Sequence, residues 1–243
     1  MAKILIYNNN SNRMEIYYRG LSEAMPYITN RTLTVREFRA NSSTNILWTS
    51  TNTMRAWNNF RSVYGRSIFV GFAFKRCWEG GHGNQSQHYA GTAFDVGQNL
   101  SYSGRLVLRN LAASSGIWTY VEPINLTPRW VHFDQRTTAS GYPTIRYGNI
   151  GNYVCTCQDA LNTLGYSTGG LDGIFGSNTR NAVLTFQNRN SLSSDGIMGP
   201  LSWSRLMSQV NGIGRTNTVI NWWKGHNKSD LIFVLFIVLF INV

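Results

Sequence analysis

Acidic residues are scarce: 11 Asp and Glu against 22 Lys and Arg leave a net charge of +11 over 243 residues. Such a balance attracts anionic partners over long range. The basic residues are scattered, however, and no run exceeds Lys75-Arg76, so there is no phosphate-tracking stripe and nucleic acid is not expected as a partner. Cysteine is sparse as well. Cys77, Cys155 and Cys157 are an odd number without a Cys-x-x-Cys pair, which argues against a disulfide framework. Cys155 and Cys157 are too close for an easy bridge, and all three read as small buried hydrophobes. The N-terminus lacks a long apolar run; Ile4-Leu5-Ile6 gives way at once to polar residues, a first strand rather than a signal peptide. The apolar stretch from Leu231 to Val243, after Trp222-Trp223-Lys224, is too short as a helix for a bilayer core of roughly 30 Å. It reads as an interfacial segment in membrane contact, a β-rich sticky end, or unselected sequence such as a shifted reading frame.

What is present is enough for a globular protein, with 42% hydrophobic and 13% aromatic residues. The length allows one sizeable core and a smaller module. We expect a first domain over 1–140, a Gly- and Pro-containing linker over 141–152, a helical module over 153–210, and a linker with the apolar tail over 211–243.

The first domain carries Ser86-Gln87-His88-Tyr89-Ala90-Gly91-Thr92-Ala93-Phe94-Asp95 and, downstream, Trp130-Val131-His132-Phe133-Asp134. His88, Asp95 and His132 match the three protein ligands of a catalytic zinc, whose fourth position is left to a water with a pKa near roughly 7. Gly91 relieves crowding at a turn, and Thr92 to Val96 reads as a short strand carrying Asp95. Strand alternation puts Trp130, His132 and Asp134 on one face and Val131 and Phe133 on the other. His82, in Gly80-Gly81-His82-Gly83, reads as a mobile loop residue rather than a fourth ligand.

The pattern Ser-x-His-x-x-Gly-x-Ala-x-Asp with a later Trp-x-His resembles the zinc D-Ala-D-Ala carboxypeptidase and L-Ala-D-Glu endopeptidase family of cell-wall peptidases. The resemblance covers roughly the first 140 residues. It implies an α+β domain of the hedgehog-like kind, Zn2+ on His88, Asp95 and His132, and peptidoglycan stem peptides as substrate. Ser86, Gln87 and Tyr89 would line the rim of the site.

The sequence departs from that family at one place. Many members carry a catalytic Glu three residues before the last His, where this chain has Arg129, which cannot act as a base. Glu122, at the end of the apolar stretch Ile117 to Val121, and Asp134, two residues beyond a ligand, are the candidates. Glu122 ranks slightly ahead, and Asp134 fits equally a role in orienting His132. The family also places a cation upstream of the first His, and Arg76 or Lys75, after the strand-like run Ile68 to Phe74, would meet the oxyanion or a substrate carboxylate. Arg76 is preferred for its two-bond match to a carboxylate.

From Tyr153 to Gln209 the pattern predicts three short helices: one bearing Cys157, Leu161 and Leu164, one capped by Ser177 or Asn178, and one starting at Pro200. Two copies of one turn separate them, Asp172-Gly173-Ile174-Phe175-Gly176 and Asp195-Gly196-Ile197-Met198-Gly199. With Gln158, Leu164-Gly165-Tyr166, Thr179 and Phe186-Gln187, this region resembles the three-helix peptidoglycan-binding domain of wall hydrolases. Peptidoglycan and an anionic, teichoic-acid-bearing wall are the partners implied, with the protein acting as a monomer. Lacking a classical signal peptide, it would reach the wall by lysis or a holin, as phage endolysins do, or from a sporulating mother cell. A wall-binding protein with a structural zinc is the reading from a different class.

Overall fold

The computed structural model describes residues 1–214. The apolar run from Leu231 to Val243 lies outside the described residues. Within them, no helix is long and apolar enough to cross a membrane.

Among the described residues the architecture is α+β, with two sheets and six α-helices. In the first sheet, β1 (Ala2–Asn8) pairs antiparallel with β2 (Arg13–Arg19) and parallel with β3 (Ile46–Ser50). Between β2 and β3 lies the short helix α1 (Val35–Arg39), opened by a capping box of Thr34 and Glu37. β3 runs directly into α2 (Thr51–Tyr64), where Ser50 caps the Thr53 amide and Gly65 ends the helix at φ +66°.

The second sheet, ordered β4-β5-β7-β6, carries the motif residues. Its strands are β4 (Val70–Phe72), β5 (Ala93–Val96), β6 (Tyr120–Val121) and β7 (Val131–Asp134), and α3 (Tyr102–Ser114) links β5 to β6. The strand-like runs Ile68–Phe74 and Ile117–Val121 are thus extended over only three and two residues. Phe94 and Phe133 point into a core with Trp57, Phe60 and Trp118, where the Trp118 and Phe133 rings stack at 4.2 Å. The alternate residues, Asp95, His132 and Asp134, therefore lie on the opposite face.

The remaining helices are α4 (Asn152–Thr163), α5 (Ser177–Arg189) and α6 (Pro200–Val210). Helix α5 has Gly176 at its N-cap and makes no side-chain cap bond, so neither Ser177 nor Asn178 takes the capping position. Gln158 donates to Asp172, Ile174 O and Thr179, and accepts from the Asp172 and Gly173 amides. Gln187 repeats this one helix later with Asp195, Ile197 O, Ser202 and the Gly196 amide. The two turns are two copies of one glutamine-centred unit, and Asp172 and Asp195 serve as turn formers.

The predicted linker over 141–152 is packed structure. Tyr142 and Ile145 are buried with Trp203, Ile145 pairs with Met198, and Ile150 pairs with Ile174. Apolar residues at these positions win over the flexibility that Gly141, Pro143 and Gly148 suggest.

Helix α4 is buried on every side from Asn152 to Leu161, because it packs on β1 and β3 as well as on α5 and α6. Residues two apart on a helix point about 200° apart, and Cys155 and Cys157 accordingly enter different cores. Cys155 joins the core of the first domain and Cys157 that of the helical module. All three cysteines are free and buried.

Candidate active site

The segment from Ser86 to Thr92 is held as a tight turn in front of β5. At Gly91, φ is +70° and an added Cβ would lie 1.9 Å from the Trp48 carbonyl oxygen, so only glycine fits this close approach. The turn also bonds to the neighbouring elements: Trp48 Nε1 donates to Tyr89 O at 2.9 Å and Asn152 Nδ2 donates to Ala90 O at 2.9 Å. The imidazole of His88 is thereby fixed above β5.

Opposite it, Asp95 on β5 is register partner to His132 on β7. His88 Nε2 lies 3.3 Å from Asp95 Oδ2, and His132 Nδ1 lies 2.7 Å from Asp95 Oδ1. The second nitrogen of each ring is also engaged. His88 Nδ1 is 2.7 Å from Ala73 O, and His132 Nε2 is 3.1 Å from Asp134 Oδ2. Asp134 is fully buried and is gripped by Arg136, whose Nε donates to Oδ1 at 2.9 Å and whose guanidinium lies 3.6 Å from the Tyr120 ring centroid.

Burial disfavours a charged Asp95, but the two imidazoles outweigh it and hold the carboxyl far below its ordinary range. Burial likewise opposes a charged His132, yet hydrogen bonds to Asp134 and Asp95 push its pKa up to about 9. The donor set suits a metal: one nitrogen of His88 and one of His132 each face an oxygen of Asp95, and the other nitrogen of each ring is engaged by an oxygen.

These groups open onto a cavity of about 360 Å³ lined also by Ser86, Gln87, Glu122, Trp130 and Arg136. Glu122 is placed by its own backbone, its amide donating to His132 O and its carbonyl accepting from Arg109 Nε, both at 2.9 Å. Ser86 and Gln87 reach the lining, although the Gln87 amide oxygen is taken by Thr92 and Tyr153.

Four residues sit elsewhere than expected. Arg76 does not line the cavity: its guanidinium is ion-paired with Asp159 of α4 and bonded to Thr44, close to the Trp48 and Trp78 rings. The pull of a buried carboxylate turns it away from the site. Tyr89 is wholly buried rather than on the rim, because its ring completes the core of the helical module. His82 lies beside the proposed ligands: its ring is 4.5 Å from those of His88 and Phe72, and burial followed by the charge of His88 pulls its pKa down to about 3. Lys75 is buried, with Nζ 5.7 Å from the Phe72 ring, and is not part of the cavity lining.

Arg136 was not picked out from the sequence, although a signal was present. His132, Asp134 and Arg136 alternate in sequence, so continuing the strand's period by one step reaches the cavity's cation.

Residues 151–206 match the family described as a putative peptidoglycan binding domain. Over 65 residues the chain is 46% identical to N-acetylmuramoyl-L-alanine amidase CwlM of Mycobacterium tuberculosis (strain ATCC 25618 / H37Rv), covering 26% of this chain and 16% of that protein. It is 40% identical over 65 residues to an uncharacterized protein in the bpoA1 3′ region of Kitasatospora aureofaciens, covering 26% of this chain and 55% of that one. Among solved structures, a peptidoglycan-binding protein from Clostridioides difficile in complex with glutamine hydroxamate is 45% identical. That match covers 28% of this chain and 43% of that chain, with a TM-score of 0.28. The chain thus spans less than two thirds of each relative's own length. The match to the peptidoglycan-binding family thus falls on the helical module, α4 to α6.

Proposed function

We propose that this chain is a zinc-dependent peptidoglycan peptidase of the D-Ala-D-Ala carboxypeptidase type, hydrolysing stem peptides of the bacterial wall. The observation that carries this reading is the orientation of the two imidazoles. Ala73 O engages His88 Nδ1 and Asp134 engages His132 Nε2, so the remaining nitrogens turn together onto Asp95. A zinc ion held by these three residues would supply Lewis acidity to an amide carbonyl and to a water. His88 and His132 must be neutral to serve as ligands.

Glu122 is the proton carrier in this reading, since it is the carboxylate of the cavity lining besides Asp95. Asp134 is a positioning residue: its oxygens are given to His132 and Arg136. Arg136 brings positive charge to the lining, suited to a terminal carboxylate or a developing oxyanion. Trp130 and Ser86 form walls against which a peptide lies. The peptidoglycan-binding domain raises the local concentration of substrate without taking part in the chemistry.

The test is incubation of zinc-loaded protein with purified muropeptides, the products being weighed by mass spectrometry beside a His88→Ala control. Free D-alanine, absent in the control, supports the carboxypeptidase. Cleavage between L-Ala and D-Glu assigns an endopeptidase instead, and loss of the whole stem peptide assigns the amidase activity named for CwlM. Intact zinc binding without any cleavage assigns a wall-binding protein with a structural metal.

A further inference from the structure

His82 is held beside the proposed metal ligands by the residue that ends α6, the last helix of the helical module. Donor atoms of His82, His88 and Asp95 lie within 4.8 Å of one another. Ligands about 2.1 Å from a tetrahedral zinc stand roughly 3.4 Å apart, so a small side-chain adjustment suffices to bring all three onto one ion.

The loop is fixed by its backbone. Asn211, the C-cap residue of α6, donates through Nδ2 to His82 O and to Asn84 Oδ1, both at 2.9 Å, and accepts from the Tyr89 hydroxyl at 2.8 Å. Both amide hydrogens and the amide oxygen of Asn211 are thus used on the loop and its support. The Tyr89 hydroxyl in turn accepts from the His82 amide at 3.2 Å. Beside this, Gly212 N donates to Cys77 O at 3.2 Å, and a Cβ on Gly80 would lie 2.5 Å from Gly212 Cα. The two segments meet backbone to backbone, an approach that requires glycine at position 80.

We propose that His82 is a fourth protein donor to the metal, and that Asn211 is the positioning residue that keeps it there; this rests on the metal-site reading given above. A catalytic zinc keeps one position for water or substrate, so one of four protein donors has to be displaceable. His82 is that donor. It follows Gly80 at φ +63° and Gly81 at φ +98° on a loop, whereas His88, Asp95 and His132 belong to the tight turn and the sheet. The peptidoglycan-binding domain therefore shapes the metal site as well as anchoring the chain.

The experiment uses the full chain. Zinc-edge X-ray absorption is expected to count three imidazoles on the ion, and a count of two overturns the proposal. In competition with a chromophoric chelator, His82→Ala is expected to weaken zinc binding about tenfold or more, and Asn211→Ala by about tenfold, within the range set by loss of an outer-shell support. Circular dichroism and thermal melting establish that both variants are folded. Unchanged zinc affinity in folded His82→Ala overturns the fourth donor. Unchanged affinity in Asn211→Ala overturns the part assigned to the binding domain. Failure of the wild-type chain to bind zinc at all is a different result, and it overturns the metal-site reading itself.

Discussion

The guanidinium of Arg76 and the carboxylate of Asp159 form an ion pair across the boundary between the sheet domain and α4, with Asp159 almost wholly buried. Removing one member of a buried pair leaves an uncompensated charge, a loss of about 3–5 kcal/mol. Asp159→Ala is therefore expected to lower unfolding stability by that amount in urea titration. A double replacement, Arg76→Met with Asp159→Leu, is expected to recover most of it, because two packed apolar side chains carry no desolvation penalty.

Glu122 and Asp134 are expected to fail in different ways. Glu122→Gln removes the proposed proton carrier and leaves the proposed ligands in place, so turnover should drop about 10²–10⁴-fold with zinc affinity unchanged. Asp134→Asn loosens the hold on His132, and zinc affinity should drop about 10–100-fold. Isothermal titration with zinc, run beside muropeptide kinetics, separates the two.

Glu79 ties the turn after β4 to the loop before β3, accepting from Ser42 Oγ at 2.7 Å, Ser43 N at 2.7 Å and Arg76 N at 2.9 Å. Burial alone would raise its pKa, but these bonds outweigh burial and lower it from 4.5. A carboxyl depressed in the folded state contributes stability that is full above 4.5 and lost as pH falls through the folded value. Glu79→Gln should cost about 1–3 kcal/mol at neutral pH, and the gap between variant and wild type should close below pH 4.5. Thermal melts across pH 3–7 check the sign.

Gln158 and Gln187 occupy equivalent places in the two turn units. Gln158→Leu strands the buried Gly173 amide and Gln187→Leu the Gly196 amide, each at about 1–3 kcal/mol. Denaturant titration of the two variants should give losses of similar size, and unequal losses would show that the two copies bear different loads.

Much of the site is legible in the sequence because its parts are local. The ten residues from Ser86 to Asp95 contain the turn, the glycine that the Trp48 carbonyl requires, and two of the proposed ligands. The period of two around His132 separates the face bearing Asp134 from the core face of Val131 and Phe133. The helical module is equally readable, since its glutamines and Asp-Gly turns recur in order along the chain.

What only the tertiary structure decides are relationships between segments distant in sequence. Arg76 has the chemistry of a substrate clamp, but Asp159, 83 residues away, claims it. Tyr89 sits inside the ligand motif, yet its ring is needed in a core built from α4, α5 and α6. His82 reads as a loop residue until Asn211, 129 residues on, fixes its carbonyl and its ring comes to lie beside His88. Local spacing fixes which side chains share a strand face or a turn, because backbone geometry repeats over a few residues. Which charge finds which partner depends on burial, and burial is settled only when the two halves of the chain close around α4.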